Sequence, residues 1–145
     1  KETIARSMGA THFLKAGKDI LGNVKELTDG LGADYAFDAV GNTDIAEMLL
    51  PSLRERGLAV LVGVPPTDSK IRVDATDVFR QEKRLTGTIY GSADTGVDFE
   101  RFARMYLSGM LPIDKLISKH YKIDEINQAC EEMLNGTIAR GVVTF

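Results

Sequence analysis

Apolar runs suited to strands alternate along the chain with stretches in which apolar residues recur every three to four positions. Residues 58–62 form a short, unbroken apolar run rich in β-branched residues, which predicts a strand buried on both faces. Gly63 follows this run at once, and Pro65 and Pro66 then stop further strand pairing. Because ligands of open α/β sheets bind beyond the carboxyl ends of strands, the pattern indicates a candidate site at this strand end.

The whole pattern predicts an α/β fold built on a doubly wound parallel sheet, incomplete at its N-terminus. Strands are predicted at 10–16, 34–40, 58–62, 85–92 and 141–145, with an edge strand at 70–74, and helices at 1–9, 20–27, 44–56, 77–83, 98–108 and 123–134. Short connections between these elements favour βαβ units and therefore parallel strands. The chain opens inside a helix with no cap, which predicts that it was cut from a longer one.

Two local predictions concern helix ends and helix faces. Asp44 is expected to cap a helix, with Glu47 reaching back at the spacing of a capping box, and Gly57 is expected to end that helix. Cys130 lies on the apolar face of the predicted helix 123–134, and we expect it to be buried in the core.

Composition excludes several classes of function. The 145 residues are 43% hydrophobic and carry a net charge of −3, so no basic excess points to nucleic acid or an anionic membrane. No apolar run reaches the length of a membrane span, and no signal peptide is recognisable, so the default location is cytoplasmic. One cysteine allows no internal disulfide, and neither histidine has a second ligand at metal-binding spacing, so no metal site is predicted in this chain.

Three strand ends are predicted to meet at one edge of the sheet. They are 40–42, 62–64 and 88–90, and each offers backbone N–H and C=O groups beside apolar side chains. Such a set suits a flat heterocycle that carries an amide, because backbone can both donate to a carboxamide and accept from it. Spacing alone leaves open the alternative that these are glycine-flanked core strands with no ligand.

Four motifs, in order, resemble the medium-chain, zinc-dependent alcohol dehydrogenase family: DYAFDAVGN, GLAVLVGVPP, LTGTIYGS and the terminal ARGVVTF. The stretch YLSGMLPIDKLISKHYKIDEINQACEEMLNG also resembles that family, so the resemblance spans the chain. It implies a partial Rossmann domain over 1–92, and a C-terminal segment over 93–145 whose last strand returns to the catalytic domain. It also implies a parent enzyme that transfers hydride between an alcohol or aldehyde and NAD or NADP, with zinc as a second cofactor.

The same resemblance assigns cofactor-binding roles to individual residues. Val62 and Val64 would lie against the nicotinamide, backbone groups at Val62, Thr88 and Tyr90 would hold its carboxamide, and Gly63 and Ile89 lie between these positions. Val40, Gly41 and Asn42 would flank the ribose and adenine, Arg140 would reach the pyrophosphate, and Lys1 would lie near the adenosine ribose. No residue of this chain is expected to be catalytic.

Several features of the family are missing from the sequence. They are the G-x-G-x-x-G turn, the acidic residue that reads the ribose, and the amino-terminal domain that carries all three protein ligands of the catalytic zinc. We therefore expect the chain alone to be inactive. Two alternatives stay open: a zinc-free quinone or enoyl reductase of the same superfamily, and a non-catalytic nucleotide-binding or dimerisation module.

The edge strand 70–74 predicts a homodimer that pairs this strand with itself across a two-fold axis.

Overall fold

The computed structural model describes residues 1–15, 17 and 19–145, which form two compact units. The central unit is Leu14–Ala93, and the terminal unit joins Lys1–Phe13 to Asp94–Phe145. The domain division expected from sequence, 1–92 and 93–145, stays a prediction. The two compact units also divide the chain near residue 93, but they group the first thirteen residues with the C-terminal part.

Helices and strands alternate through most of the chain. The helices are α1 (Glu2–Ser7), α2 (Ile20–Glu26), α3 (Thr43–Ser52), α4 (Ala75–Gln81), α5 (Thr95–Leu107) and α6 (Ile126–Leu134). The strands are β1 (Ala33–Asp38), β2 (Leu53–Leu61), β3 (Arg84–Gly87), β4 (Lys119–Lys122) and β5 (Gly141–Thr144). None of the described helices combines the length and apolar character that crossing a bilayer requires.

The central unit is built on a parallel sheet in the order β1-β2-β3, as the α/β pattern predicts. Phe37 lies opposite Val60, and Val60 lies opposite Thr86, so the three strands end at the same edge. The run at 58–62 is therefore the central strand, and Ala59 within it is fully buried. The expectation that this strand is buried on both faces holds only for the face that carries Ala59, against which α3 packs. On the opposite face Val60 is buried, but Tyr35 and Phe37 beside it on β1 are each 62% exposed.

Helix α3 packs on this sheet through a small apolar core. The core cluster is Leu49, Leu50, Leu53 and Ala59, with Val78 packed against it. Each leucine side chain that is fully removed from water contributes about 1.5–3 kcal/mol, so this cluster supplies much of the stability of the central unit.

The cap of α3 is Asn42, and the prediction that Asp44 and Glu47 form a capping box is wrong. The Asn42 side-chain oxygen accepts from the backbone N–H groups of Asp44 at 2.8 Å and Ile45 at 3.2 Å. Glu47 instead holds Arg72, with 3.0 Å between the guanidinium and the carboxylate. Asn42 takes the cap because its backbone is still extended, with φ −105° and ψ 127°.

Two predicted strands are absent, and a third is shorter than expected. The described residues 10–15 form no strand, and Ala16 lies outside the described residues. Residues 70–74 also form no strand, and the backbone N–H of Arg72 donates to Glu47 on α3 at 2.9 Å rather than to a neighbouring strand. Strand β3 ends at Gly87, and the chain then enters a 3₁₀ turn over Tyr90–Ser92.

Gly57 does not end a helix, because α3 stops at Ser52 and β2 begins directly after it. Arg56 has a positive φ of 63°, and the pairing of β2 with β1 shifts between Leu53 and Leu58. A side chain at Gly57 would come within 2.8 Å of the Leu53 Cβ, so glycine is required at this irregularity.

The terminal unit contains the parallel pair β4–β5, and β4 has no counterpart in the prediction from sequence. Glu132 on α6 accepts hydrogen bonds from Lys119 at 2.7 Å, from Tyr121 at 2.8 Å and from Gln128 at 2.8 Å. Tyr121 is 1% exposed. These three donors hold the pKa of Glu132 at about 2, so the carboxylate that joins α6 to β4 stays ionised.

The apolar faces of α5 and α6 are largely exposed within the described residues. Cys130 is exposed, so the prediction that it lies in the core is wrong. Phe99 on α5, Met110 just after that helix and Met133 on α6 are also exposed. The helical periodicity was identified correctly, but nothing in the described residues covers these faces.

Candidate functional site

The three predicted strand ends lie together at the carboxyl edge of the central sheet. The backbone oxygen of Asp38, the last residue of β1, accepts from the N–H groups of Val62 and Gly63, both at 2.8 Å. The N–H of Thr88 donates to the Leu61 oxygen at 3.0 Å. Segments 40–42, 62–64 and 88–90 therefore follow neighbouring strands, as expected from the sequence.

Two glycines allow the first two of these segments to touch. A Cβ on Gly63 would lie 2.6 Å from the Val40 nitrogen, and its nearest neighbours would include the backbone of Gly41. Gly41 has φ +82°, and a Cβ there would lie 2.9 Å from the Val64 nitrogen. Each glycine is thus explained by backbone packed against backbone, which a side chain would prevent.

The backbone groups left without partners at this edge include two acceptors and one donor at Val62, Thr88 and Tyr90. The Val62 and Thr88 N–H groups are used within the sheet, whereas their carbonyl oxygens accept no hydrogen bond among the described residues. The N–H of Tyr90 likewise makes no hydrogen bond within the part of the chain that the structure describes. The family resemblance assigned these three positions, but it did not show whether the N–H or the oxygen is free at each one.

Apolar side chains around these groups are strongly exposed. Val64 is 89% exposed, Ile89 is 80% exposed and Tyr90 is 93% exposed, and Val40 and Val62 are also exposed. Tyr90 and Ser92 have positive φ, so the chain turns sharply directly after β3. The strand ends therefore offer an apolar surface with unpaired backbone groups beside it.

Asp38 is a buried residue of this edge that sequence reasoning did not select. It is 2% exposed, and its carboxylate accepts from the N–H of Val40 at 2.8 Å and of Gly41 at 3.0 Å. Both bonds keep the carboxylate within its own turn, so it is not the acidic residue that would read a ribose. An acidic residue at the last position of β1 was the available signal.

A small cavity of about 130 Å³ lies behind these loops, lined by Asn42, Leu61, Pro65 and Ile71 among others. The Arg72–Glu47 ion pair holds the 67–74 segment at one side of α3. Hydrogen bonds from the Arg72 guanidinium and backbone lower the pKa of Glu47, so this carboxylate stays charged.

The remaining two candidates, Lys1 and Arg140, belong to the terminal unit. Lys1 is the residue before α1, and the Arg140 oxygen accepts from the Ser118 N–H at 2.8 Å. Both side chains are exposed. Arg140 also borders an apolar pocket with Tyr106 and Ile117.

Metal-binding side chains are not grouped anywhere in the described part of the chain. No three His, Cys, Asp or Glu side chains there are close enough to bind one ion. His12 and His120 are both exposed, and His120 lies in β4. The described residues therefore do not fit a zinc ion.

Residues 1–107 match the protein family described as zinc-binding dehydrogenase. This chain belongs to that family. Geraniol dehydrogenase of Carpoglyphus lactis is 31% identical to this chain over 148 residues, which cover 100% of the chain and 38% of the relative. The NDMA-dependent alcohol dehydrogenase of Amycolatopsis methanolica is 29% identical over 147 residues, 99% of the chain and 39% of the relative.

Solved structures show the same fold. The benzyl alcohol dehydrogenase of Acinetobacter calcoaceticus superposes with a TM-score of 0.90 at 27% identity, covering 97% of this chain and 39% of that one. This likeness confirms the Rossmann-like α/β class expected from the sequence. The chain spans about 40% of the length of the curated relatives it matches.

Proposed function

We propose that this chain forms the nicotinamide side of an NAD- or NADP-dependent alcohol dehydrogenase. The full-length protein would transfer a hydride between an alcohol or aldehyde and the cofactor. The observation that carries the proposal is the set of free backbone groups at the strand ends: the Val62 and Thr88 oxygens and the Tyr90 N–H. Relatives named geraniol dehydrogenase and benzyl alcohol dehydrogenase support this class of substrate.

The free backbone groups complement the carboxamide of nicotinamide. A primary carboxamide has two N–H donors and one carbonyl acceptor, and the free groups at this edge include both carbonyls and N–H groups that could bind it, among them the Val62 and Thr88 oxygens and the Tyr90 N–H. Main-chain groups have no side-chain rotamers to lose on binding. They would therefore bind the amide without the entropy cost of ordering a side chain. Ile89, whose side chain is 80% exposed, lies between Thr88 and Tyr90 in the chain.

The exposed valines give the ring an apolar surface. Val64 and Val62 would pack against one face of the nicotinamide and exclude water from it, and Gly63 keeps these two residues against the β1 turn. Val40, Gly41 and Asn42 would flank the ribose and adenine side. Arg140 would pair with the pyrophosphate, and Lys1 would lie near the adenosine ribose.

Nicotinamide supplies the hydride acceptor or donor, and zinc, whose ligands the family resemblance places outside this chain, would polarise the substrate oxygen. This chain's own contribution is to orient the ring and to keep water from its bound face. The proposed enzyme is expected to be cytoplasmic.

Val64→Asp tests the site in the full-length protein. Val64 is 89% exposed, so the change should leave the thermal unfolding midpoint nearly unchanged, whereas a charge against the ring should weaken cofactor binding. Losing an apolar contact worth about 1.5–3 kcal/mol corresponds to at least about tenfold weaker binding, measured by NADH and NADPH fluorescence titration. Val97→Asp, at a valine that is 62% exposed on α5, is the matched control and should bind like the wild type.

Outcomes separate this proposal from the alternatives. Equal affinity of wild type and Val64→Asp would place the cofactor elsewhere, and no binding of either nucleotide by the wild type would remove the dehydrogenase assignment. Arg140→Ala should weaken cofactor binding by about 1.5–3 kcal/mol while the zinc content stays normal. Metal analysis that finds no zinc in the full-length protein would favour a zinc-free reductase.

We also propose a homodimer in which residues 70–74 of two copies pair across a two-fold axis. The backbone N–H of Arg72 is taken by Glu47, so the amides of Ile71 and Val73, on the opposite side of an extended chain, are the ones that a partner could reach. Val73 is 43% exposed, which also supports a contact there. The segment forms no strand in the single chain and would become one on pairing.

Val73→Pro removes one of these amides, and Val73→Ala, which keeps it, is the matched control. Light scattering on the full-length protein should show a dimer for wild type and for Val73→Ala, and a monomer for Val73→Pro. A wild type that stays monomeric at high concentration would refute the homodimer.

A further inference from the structure

Asp38 is the one acidic side chain that is almost completely buried at the strand-end site. It is 2% exposed, and burial of a carboxylate is costly unless hydrogen bonds compensate. The compensation comes from two backbone amides, those of Val40 and Gly41. The carboxylate therefore holds the turn that follows β1 rather than solvent or a ligand.

The backbone oxygen of the same residue holds the next strand end. It accepts from the N–H groups of Val62 and Gly63, both at 2.8 Å. One residue thus hydrogen-bonds to both loops of the site, one through its side chain and the other through its main chain.

The two loops are also locked to each other by contact. The neighbours around Gly63 are backbone atoms of Val40 and Gly41, and those around Gly41 are backbone atoms of Val64. A turn released from the Asp38 carboxylate could not move without displacing the loop that carries Val64. Tight packing of this kind transmits a displacement instead of absorbing it.

We infer that Asp38 is a positioning residue for the cofactor: its buried carboxylate fixes the Val40–Gly41 turn, and through that turn the Val62 oxygen and the Val64 side chain. The inference rests on the proposed function, because it takes the nicotinamide to lie against those two groups. Asp38 itself touches neither cofactor nor substrate in this role.

Three variants of the full-length protein test this inference. Asp38→Ala removes both side-chain hydrogen bonds, whereas Asp38→Asn keeps an oxygen that can accept from the same amides. Asp77→Asn is the structural control, because Asp77 pairs at 2.9 Å with Lys83, which is also buried, and makes no hydrogen bond to the strand-end loops among the described residues. For each variant we would measure the thermal unfolding midpoint, and the NADH and NADPH dissociation constants well below that midpoint.

Asp38→Ala is expected to weaken cofactor binding at least about tenfold, as the loss of a charge-assisted hydrogen bond allows. Asp38→Asn should lie between wild type and Asp38→Ala, and Asp77→Asn should lower the unfolding midpoint while its affinity stays that of wild type. Unchanged affinity in Asp38→Ala, or an equal loss in Asp77→Asn, would overturn the inference and leave the proposed function standing. A wild type that binds neither nucleotide would overturn both.

Discussion

Gly63→Ala is the substitution whose effect follows most directly from the structure. The added Cβ would lie 2.6 Å from the Val40 nitrogen, whereas ordinary contacts of a Cβ are 3.4–4 Å long. Backbone must therefore separate by about 0.8 Å or more at this point, and both neighbours belong to hydrogen-bonded loops. Overpacking of this kind costs about 1–3 kcal/mol.

Gly87→Ala is the matched control on the neighbouring strand. A Cβ on Gly87 would meet only the Leu61 oxygen, at 3.8 Å, so alanine fits there without movement. A compatible Gly→Ala change stabilises by about 0.4–1 kcal/mol, because it restricts the unfolded chain. The two variants should thus differ in free energy of unfolding by about 1.4–4 kcal/mol.

Urea unfolding followed by circular dichroism measures that difference directly. Gly63→Ala is expected to unfold at lower urea than wild type, and Gly87→Ala at equal or higher urea. If both variants unfold at the same urea concentration, the close approach of the two loops is not what requires glycine at position 63.

Three further changes test the core, the cap and the terminal unit. Leu50→Ala should cost about 2–5 kcal/mol of unfolding free energy in urea, because it leaves a cavity in the cluster between α3 and β2. Asn42→Ala should cost about 0.5–2 kcal/mol, and more than Asp44→Ala, since only Asn42 caps α3. The pKa of Glu132, about 2 when folded against 4.5 ordinarily, means that its stabilisation is present above pH 4.5 and is lost as the pH falls toward 2. Thermal unfolding of Glu132→Gln should depend less on pH than that of wild type across this window; parallel profiles would contradict the role of that carboxylate.

Periodicity was sufficient to predict the elements whose partners lie close by in the chain. The continuous apolar run at 58–62 predicted the central strand, which β1 and β3 flank within the same unit. Glycine after each apolar run predicted the meeting of 40–42 with 62–64, since parallel strands end at a common edge. The α/β class followed from the alternation of these elements.

Hydrogen-bond choices were not determined by local sequence. Asn42 and Asp44 are both good caps, and the extended backbone at Asn42, set by the turn after β1, decides between them. Glu47 could reach back to a cap or out to Arg72, and the course of the 67–74 segment decides for Arg72. The prediction of an edge strand at 70–74 was wrong for the single chain, in which the Arg72 N–H donates to Glu47 and none of the described strands pairs with the segment.

Sequence by itself determined which residues are apolar and where glycine interrupts them, and therefore that the segments after β1, β2 and β3 meet at one edge of the sheet. Tertiary structure alone decided which polar groups there are satisfied: it buried Asp38, used the Val62 and Thr88 amides in the sheet, and left their oxygens free. It also decided that the apolar face bearing Cys130 is exposed. The physical reason is that periodicity specifies a face, whereas burial and hydrogen bonding depend on what lies opposite it, often many residues away.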